Sequence, residues 1–327
     1  MTSFSLLRVP YVAQREILCN MTPFDLYFLS QSSQRAKRLV RHSPMKKFGI
    51  DLIINGKEKA GQLIIKHGNI TYNFVVVSTQ RYVDPGMFQI DKKDGDYYYL
   101  TFFDDVPTQM KVLMNYFHEV FEMKLSTVAL AVLNKQTLKS IIDMITSRQP
   151  EIQDLKLQDI EGPGLDVTGL LEKVKTTNKL WIDLKLKSGF RFSFENVPQE
   201  AAFRQAVWFN RQNLLCSGWE KLFVSGAPLL TNRAINHFIE KWMEGNLPKL
   251  KFVAVRSEKF HNNTPVAGIL PPVFEPENLP INLKRIEEWG VLLNVNRGIT
   301  LTNANGVTAK LGFNCGNNSM FFLYVSD

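Results

Sequence analysis

The sequence predicts a protein of mixed class, α+β in its N-terminal part and α/β further along the chain. Three observations support this prediction: helical spacing of apolar residues before residue 44, runs of branched and aromatic residues separated by turns in 45–105, and an alternation of strand-like and helix-like segments over about 106–257. A last group of strand-like segments, expected to be antiparallel, lies over about 290–327. We therefore expect a helical module of residues 1–44 and a larger region of residues 45–327.

The first forty-odd residues predict a helix that begins near Pro10. Proline suits the first turn of a helix, where its missing N–H costs nothing. Ala13, Ile17, Leu18 and Met21 follow at helical spacing, so this helix is expected to be short and amphipathic.

Two further short helices are predicted before residue 44. Thr22 precedes Pro23, and Asp25 stands three positions after Thr22, an arrangement that satisfies the N–H groups at a helix start. The third helix is expected to end before Pro44, because the residue preceding proline disfavours helical geometry. Segments of this size seldom bury enough surface to fold alone, so we expect their apolar side chains to contact another protein.

These residues resemble an F-box, the module that joins a substrate receptor to a cullin-RING ubiquitin ligase through a Skp-family adaptor. The resemblance rests on Pro10 followed by Ile17-Leu18, on an acidic residue directly before Leu26, and on Leu29-Ser30 followed by basic residues. It implies that the helices contact the adaptor through seven apolar residues, namely Leu7, Pro10, Ile17, Leu18, Met21, Leu26 and Leu29.

Three positions depart from the usual F-box pattern. Val9 stands where leucine is usual, Val12 where glutamate is common, and Arg35 falls near the usual Trp-Arg end. Such variants are typical of a large nematode group of F-box proteins. The alternative interpretation is an ordinary helical hairpin that packs on its own domain, since helical periodicity is common in globular chains.

Beyond Pro44 the pattern predicts a short β meander and then a helix. The strand-like segments are rich in branched and aromatic residues and are separated by turn residues; they cover 50–54, 63–65, 70–77 and 97–103. Apolar residues then recur at helical spacing from 112 to 121, which predicts a strongly amphipathic helix beginning near Pro107.

The middle of the chain predicts an irregular, leucine-rich-repeat-like set of βα units with a parallel sheet. Strand-like segments are expected at 128–132, 152–157, 181–186, 219–224 and 250–255, with helical patterns between them. These units recur less regularly than those of leucine-rich repeats. A conventional α/β domain with the same alternation is the open alternative.

A second resemblance covers the C-terminal half of the chain. The segment Gly218–Thr231, the element Lys241-Trp-x-x-Gly-x-x-Pro-x-Leu250, and strands around an Asn305-Gly306 turn look like the F-box-associated domain of many nematode proteins. The two resemblances together imply a non-catalytic substrate receptor whose C-terminal region binds a protein target.

Composition and charge narrow the classes of function. The chain has 327 residues and a net charge of +8, and residues 1–47 hold eight Lys and Arg against two acidic residues, a net charge of +6. A basic cluster can steer an acidic partner, such as the adaptor that the resemblance implies, or lie as a solvated helix face, or bind nucleic acid. No apolar run is long enough to cross a membrane, so we expect the protein in the cytoplasm or nucleus.

No enzyme, metal or cofactor site is predicted. The segment His118-Glu-Val-Phe-Glu122 lacks the second histidine of a zinc motif, and Cys19, Cys216 and Cys315 lack paired spacing, so we expect them to be buried thiols. Besides the receptor, two functions stay open: an interaction scaffold outside any ligase, and a basic nucleic-acid-binding protein. We also expect most tryptophans to lie in the core; they are Trp181, Trp208, Trp219, Trp242 and Trp289.

Overall fold

The computed structural model describes residues 8–78, 88–131, 133–158, 167–186, 189–194, 197–274, 283–286, 291–294, 297–315 and 319–326. The chain forms two compact units, Met1–Ile152 and Gln153–Asp327. The mixed α/β class is confirmed, since both units combine helices with a large share of β-sheet. None of the helices in these ranges has the length and apolar character that a membrane crossing requires.

The first unit begins with three short helices, as the sequence predicts. They are α1 (Tyr11–Asn20), α2 (Pro23–Ser32) and α3 (Gln34–Val40). A single 3₁₀ turn, Pro44–Lys47, follows and leads into the sheet. The helices and the sheet thus belong to one compact unit, although the sequence suggests a module boundary at residue 44.

The sheet of the first unit has six strands in the order β6-β1-β2-β3-β5-β4. Their bounds are β1 (Gly49–Asn55), β2 (Ala60–His67), β3 (Ile70–Ser78), β4 (Phe88–Lys93), β5 (Asp96–Phe103) and β6 (Lys124–Ala131). The first three strands form the predicted antiparallel meander. Two helices follow in sequence around β6, namely α4 (Val106–Phe121) and α5 (Lys135–Thr146).

The meander prediction is wrong beyond the third strand. β5 runs parallel to β3 and lies between β3 and β4, and β4 was not predicted. The physical reason lies in composition, because β5 consists largely of tyrosine and phenylalanine whereas β4 ends in Asp91-Lys92-Lys93. A charged strand suits the edge of a sheet, where it discourages pairing with other chains.

The second unit contains a sheet with the order β7-β8-β9-β10-β11-β16-β15-β14. The first five strands are β7 (Glu151–Gln158), β8 (Lys175–Asp183), β9 (Glu200–Arg204), β10 (Lys221–Ser225) and β11 (Phe252–Arg256). Strands β8 to β11 are parallel, which confirms the predicted parallel sheet for this stretch. The helices of this unit are α6 (Thr168–Lys173), α7 (Arg211–Leu214) and α8 (Asn232–Met243).

The C-terminal strands are antiparallel, as the sequence predicts. β14 (Ile299–Thr302) pairs with β15 (Thr308–Asn314), and β15 pairs with β16 (Met320–Val325), which joins the parallel strands through β11. A separate two-stranded ribbon consists of β12 (Leu283–Ile286) and β13 (Val291–Asn294).

Most of the tryptophans lie in the core of the second unit. Trp208, Trp219 and Trp242 are buried, and the indole N–H of Trp219 donates a hydrogen bond to the carbonyl of Asn213 at 2.9 Å. Trp181 is only partly buried. Trp289 lies outside the described residues. The expected core role therefore holds for three tryptophans, and Trp181 differs from them.

Candidate functional site

The N-terminal helices form where local chemistry directs them. The Thr22 hydroxyl accepts a hydrogen bond from the N–H of Asp25 at 3.1 Å, and the Asp25 carboxylate accepts one from the N–H of Thr22, also at 3.1 Å. Both N–H groups at the start of α2 are thus satisfied, and the predicted capping arrangement is confirmed. The N–H of Ala36 is satisfied in the same way by the Ser33 hydroxyl at the start of α3.

The seven predicted contact residues do not share one exposed face. Leu18 and Leu26 are each 1 % exposed, so in this conformation they offer almost no area to a second protein. Their role, like that of the other five, stays a prediction. The others divide by exposure: Ile17, Met21 and Leu29 are half-buried, Pro10 is exposed, and Leu7 lies outside the residues that the structure describes.

An aromatic cluster of the first unit buries one side of α2. The Phe24 ring lies 4.8 Å from the Phe74 ring of β3, and the Tyr27 ring stacks on the Phe117 ring of α4 at 5.7 Å. Phe28 contacts Tyr99 of β5 at 5.2 Å between ring centroids. The expectation that the apolar side chains of these helices contact another protein is therefore corrected for this side of α2, whose aromatic side chains complete the core of its own unit.

A hydrogen bond and a cation also join the helices to α4. The hydroxyl groups of Ser30 and Tyr116 lie 2.6 Å apart, and the ammonium of Lys37 lies 5.0 Å from the centroid of the Tyr116 ring. These contacts hold α2 and α3 against the same helix. The alternative of helices packed on their own domain thus describes this side of the module.

The other side of the module exposes apolar side chains on α1. Tyr11 is 57 % exposed and Val12 is 72 % exposed, and both directly follow the exposed Pro10. An exposed valine on a short helix gains nothing from the fold itself, and grouped apolar exposure is typical of protein contact sites. Neither residue is among the seven predicted contact residues. The exposure of Val12 could have been predicted from the sequence, because Val12 lies outside the helical spacing of the buried residues.

A groove with a volume of about 240 Å³ adjoins this exposed surface. Two guanidinium groups and an imidazole contribute to its walls, and no carboxylate does. Tyr11 and His42 meet across it with ring centroids 5.8 Å apart. We call this the α1–α3 groove, lined by Tyr11, Gln14, Arg35, Arg38, Leu39 and His42. Its charge favours an anionic partner surface.

Burial raises the pKa values of three tyrosines in the aromatic cluster around α2. It raises the pKa of Tyr27 to about 12, with the neighbouring Tyr99 and Tyr116 adding to the increase. Burial also raises the pKa of Tyr99 and of Tyr116, the latter partly offset by its hydrogen bond with Ser30. These shifts report a dry aromatic interior and point to no proton-transfer chemistry.

The described residues offer no cluster of metal ligands. No group of three or more His, Cys, Asp or Glu in these ranges could hold a metal ion. The cavity beside His118 has a volume of about 20 Å³, room for about one water molecule. Cys19 is exposed, which corrects the expectation of a buried thiol, whereas Cys216 and Cys315 are half-buried and desolvation raises the pKa of each.

The Lys241–Leu250 element of the second unit closes a helix. Trp242 is buried, and Gly245, with a φ of 80°, occupies the left-handed position that follows Glu244, the C-cap residue of α8. The N–H of Gly245 donates to the carbonyl of Trp242 at 2.9 Å, and the N–H of Asn246 donates to that of Lys241 at 3.0 Å. This pair of bonds is a Schellman motif, and it explains the glycine of the element.

Comparison with known families finds two matches on this chain. Residues 6–48 match the F-box domain, and residues 191–255 match the family described as F-box associated. Both are families of adaptor or receptor domains. The second match begins before β9 and ends within β11, so it contains β10 and α8. No curated protein matches the chain, and no solved structure matches it.

Proposed function

We propose that this chain is a substrate-receptor subunit of an SCF-type cullin-RING ubiquitin ligase. The F-box helices bind a Skp-family adaptor, the region beyond them holds a protein target, and the chain carries out no chemistry itself. The observation that supports this most strongly is the presence of an F-box match and an F-box associated match on one chain, in that order. Ubiquitination then results from holding the target close to the charged enzyme.

The adaptor contact centres on the exposed side of α1. Pro10, Tyr11 and Val12 supply apolar area. The half-buried residues among the seven predicted contacts extend it, namely Ile17, Met21 and Leu29. Removing apolar surface from water contributes roughly 25 cal/mol per Å². The α1–α3 groove next to this area adds Arg35 and Arg38, which suits an acidic adaptor surface.

Removing the exposed apolar area of α1 tests this assignment. Because Tyr11 is 57 % and Val12 72 % exposed, the double variant Tyr11→Ala with Val12→Ala should leave the fold intact and lower adaptor co-purification by at least about tenfold through lost apolar contact. Val307→Ala, in the exposed turn before β15, is the control and should retain the adaptor. Undiminished adaptor capture by the double variant would refute the contact.

The variant Leu18→Asp is a poorer test of the adaptor contact. Leu18 lies in the interior of the helices, so a carboxylate there would be buried without a partner and would unfold them. Loss of the adaptor would then report stability rather than contact. Leu29→Asp, at a half-buried position, is expected to show a mixture of both effects.

The wider assignment follows from the same family matches. We assign residues 1–44 to the F-box and residues 45–327 to target recognition, with the irregular, leucine-rich-repeat-like βα units as the part that presents a face to the target. The element around Trp242 and Gly245 supports a relation to the nematode group of F-box proteins. A receptor of this kind acts in the cytoplasm or nucleus.

A second candidate function is an interaction scaffold that works outside a ligase. The observation that favours it is the packing of Phe24 and Tyr27 within their own unit, which lets the helices fold without an adaptor. Co-expression with a Skp-family adaptor separates the two functions. A scaffold purifies alone and does not bind the adaptor, whereas a receptor forms a stable complex with it.

A further inference from the structure

One face of the parallel strands in the second unit carries alternating large and small side chains. In the observed register Trp181 pairs with Ala202, Ala202 with Phe223, Phe223 with Ala254, and Ala254 with Phe322. Residues paired across strands point to the same side of a sheet. The rings therefore fill the space above the alanines, and Phe223 and Phe322 are buried while Trp181 stays partly exposed.

Cationic side chains lie over the rings of this row. The Lys156 ammonium is 4.7 Å from the centroid of the Trp181 ring, and the Arg204 guanidinium is 5.2 Å from it. The Arg256 guanidinium lies 5.8 Å from the centroid of the Phe223 ring. Arginine and tryptophan are the residues that most often dominate protein interfaces, and each cation is attracted by the ring face below it.

Two N–H groups of this row have no acceptor. The indole N–H of Trp181 and the Nε of Arg256 are both out of contact with solvent, and no described residue accepts a hydrogen bond from either group. Native proteins satisfy nearly all buried donors, and an unsatisfied donor costs more than an ordinary hydrogen bond contributes. Because neither atom is in contact with solvent, neither can bond directly to a second protein in this conformation, whereas the Arg204 side chain is 40 % exposed.

The position of the row in the sheet also favours a binding site. Arg204 and Arg256 end strands β9 and β11, so they lie at the carboxyl edge of parallel strands, where open α/β sheets bind their ligands. The loops that follow β9 and β10 expose two apolar side chains, Val207 at 51 % and Leu229 at 46 %. Gln205 adopts a left-handed backbone conformation at this edge, with a φ of 50°.

We infer that this carboxyl edge binds an acidic segment of the target protein, whose carboxylates pair with the guanidinium groups of Arg204, over the Trp181 ring, and Arg256, over the Phe223 ring, and whose apolar residues pack on Val207 and Leu229. The inference rests on the proposed receptor function. Neighbouring strands lie about 4.8 Å apart, so β9 and β11 are separated by about 10 Å. An extended chain spans that distance in about three residues. The segment thus carries acidic residues about three positions apart.

The fixed acidic groups nearby favour separate carboxylates over a polyanion. A carboxylate oxygen of Asp183 lies 3.6 Å from the Arg204 guanidinium, and Glu200 pairs with both Lys179 at 3.6 Å and Lys221 at 2.6 Å. These two carboxylates offset part of the local positive charge, and they repel a closely spaced polyanion such as a nucleic-acid backbone more than they repel single carboxylates. A single negative charge at each donor meets less repulsion.

Peptide binding to the full-length protein tests the inference. The probe is a labelled peptide of about ten residues with two glutamates three positions apart among leucine and serine, and its partner has glutamine at both positions. We expect the glutamine peptide to bind at least about tenfold more weakly in fluorescence anisotropy. Arg204→Gln and Arg256→Gln, which remove the charge and keep a polar side chain, should each weaken binding of the glutamate peptide about tenfold, as for a hydrogen bond to a charged group.

Arg233→Gln is the matched control, because it removes the same charge from an exposed position on α8 and should change the affinity less than about twofold. Equal binding of the two peptides, or unchanged affinity in both variants, overturns the inference. Tighter and strongly salt-dependent binding of a single-stranded oligonucleotide also overturns it.

Adaptor co-purification of the same proteins separates this inference from the proposed function. Retained adaptor with no peptide binding refutes the target site alone and leaves the receptor role standing. Specific peptide binding without any adaptor capture supports the site and refutes the receptor role.

Discussion

Tyr27 shows how one side chain joins the N-terminal helices to the core of their unit. Its ring stacks on Phe117 and contacts Phe74 at 5.2 Å, and burial raises its pKa to about 12. Because the folded pKa lies above the unfolded value near 10, the folded state holds the proton more tightly. The associated stability is fully present below about pH 10 and is lost as the pH rises through about 12.

We therefore expect the free energy of unfolding to fall on the order of 2 kcal/mol between about pH 9 and pH 12 because of this residue. Tyr27→Phe keeps the ring and removes the titration, so its stability should fall less steeply with pH in urea unfolding. Tyr99 and Tyr116 also have a raised pKa and should leave a smaller slope. Identical pH slopes for the two proteins would contradict this account.

Gly312 provides a second prediction at the scale of one residue. It pairs with Phe322 across β15 and β16, and a methyl group at Gly312 would overlap the Phe322 ring and come within 3.0 Å of Phe274. Gly312→Ala should therefore destabilise the protein by about 1–3 kcal/mol, the usual cost of overpacking a core.

Gly169→Ala is the control for that substitution. Gly169 lies in α6 with open space where a methyl group would stand, and alanine favours helices. Thermal unfolding should show a lower transition temperature for Gly312→Ala and an equal or higher one for Gly169→Ala. A neutral Gly312→Ala would mean that the aromatic row adjusts without cost.

Among the elements, those that local chemistry defines were predictable and those that depend on distant partners were not. The Thr22–Asp25 capping arrangement and the start of α1 after Pro10 follow from neighbouring residues alone. The burial of α2 was not predictable, because Phe74, Tyr99 and Phe117, which cover it, are far along the sequence. A sequence pattern shows which face of a helix is apolar, and it does not show what that face contacts.

Strand β9 shows another limit of sequence reasoning. Its segment, Glu-Ala-Ala-Phe-Arg, is short and contains two alanines, which disfavour strands by propensity. In the sheet the alanines are required, because Trp181 and Phe223 flank Ala202 on one face. The missed strand also hid part of the site at the carboxyl edge, since Arg204 becomes a strand end only when β9 is recognised.

The packing of α2 predicts that the F-box segment does not fold alone. A fragment of residues 1–48 lacks β3, β5 and α4, so Phe24, Tyr27 and Phe28 would be exposed to water. Circular dichroism should show little helix and no cooperative melting in this fragment, whereas residues 1–152, a compact unit, should melt cooperatively. A cooperative transition in the short fragment would show that α1, α2 and α3 suffice as a core.

Across the whole molecule, charge and recognition are distributed unevenly. Residues 1–47 carry a net charge of +6 out of the +8 of the chain, and the α1–α3 groove lies within this basic segment. On the sheet face of the second unit, Asp183 and Glu200 instead pair with neighbouring cations. Under the proposed function, the first unit suits long-range attraction of an acidic adaptor, and the second suits short-range recognition of a target.

This division predicts that charge and apolar contact in the first unit affect different rate constants. Because long-range attraction accelerates encounter, the double variant Arg35→Glu with Arg38→Glu should lower the association rate of the adaptor about tenfold at low salt and leave dissociation nearly unchanged. Tyr11→Ala with Val12→Ala should instead accelerate dissociation, since it removes apolar contact area without changing charge. Lys57→Glu with Lys93→Glu, at exposed positions of the same unit outside the groove, is the control and should change the association rate much less.

Surface plasmon resonance at two salt concentrations measures both rate constants. The slower association of the Arg35→Glu, Arg38→Glu variant should become less marked as salt screens the charges. An equal effect of the two charge reversals would show that net charge, rather than the groove, attracts the adaptor.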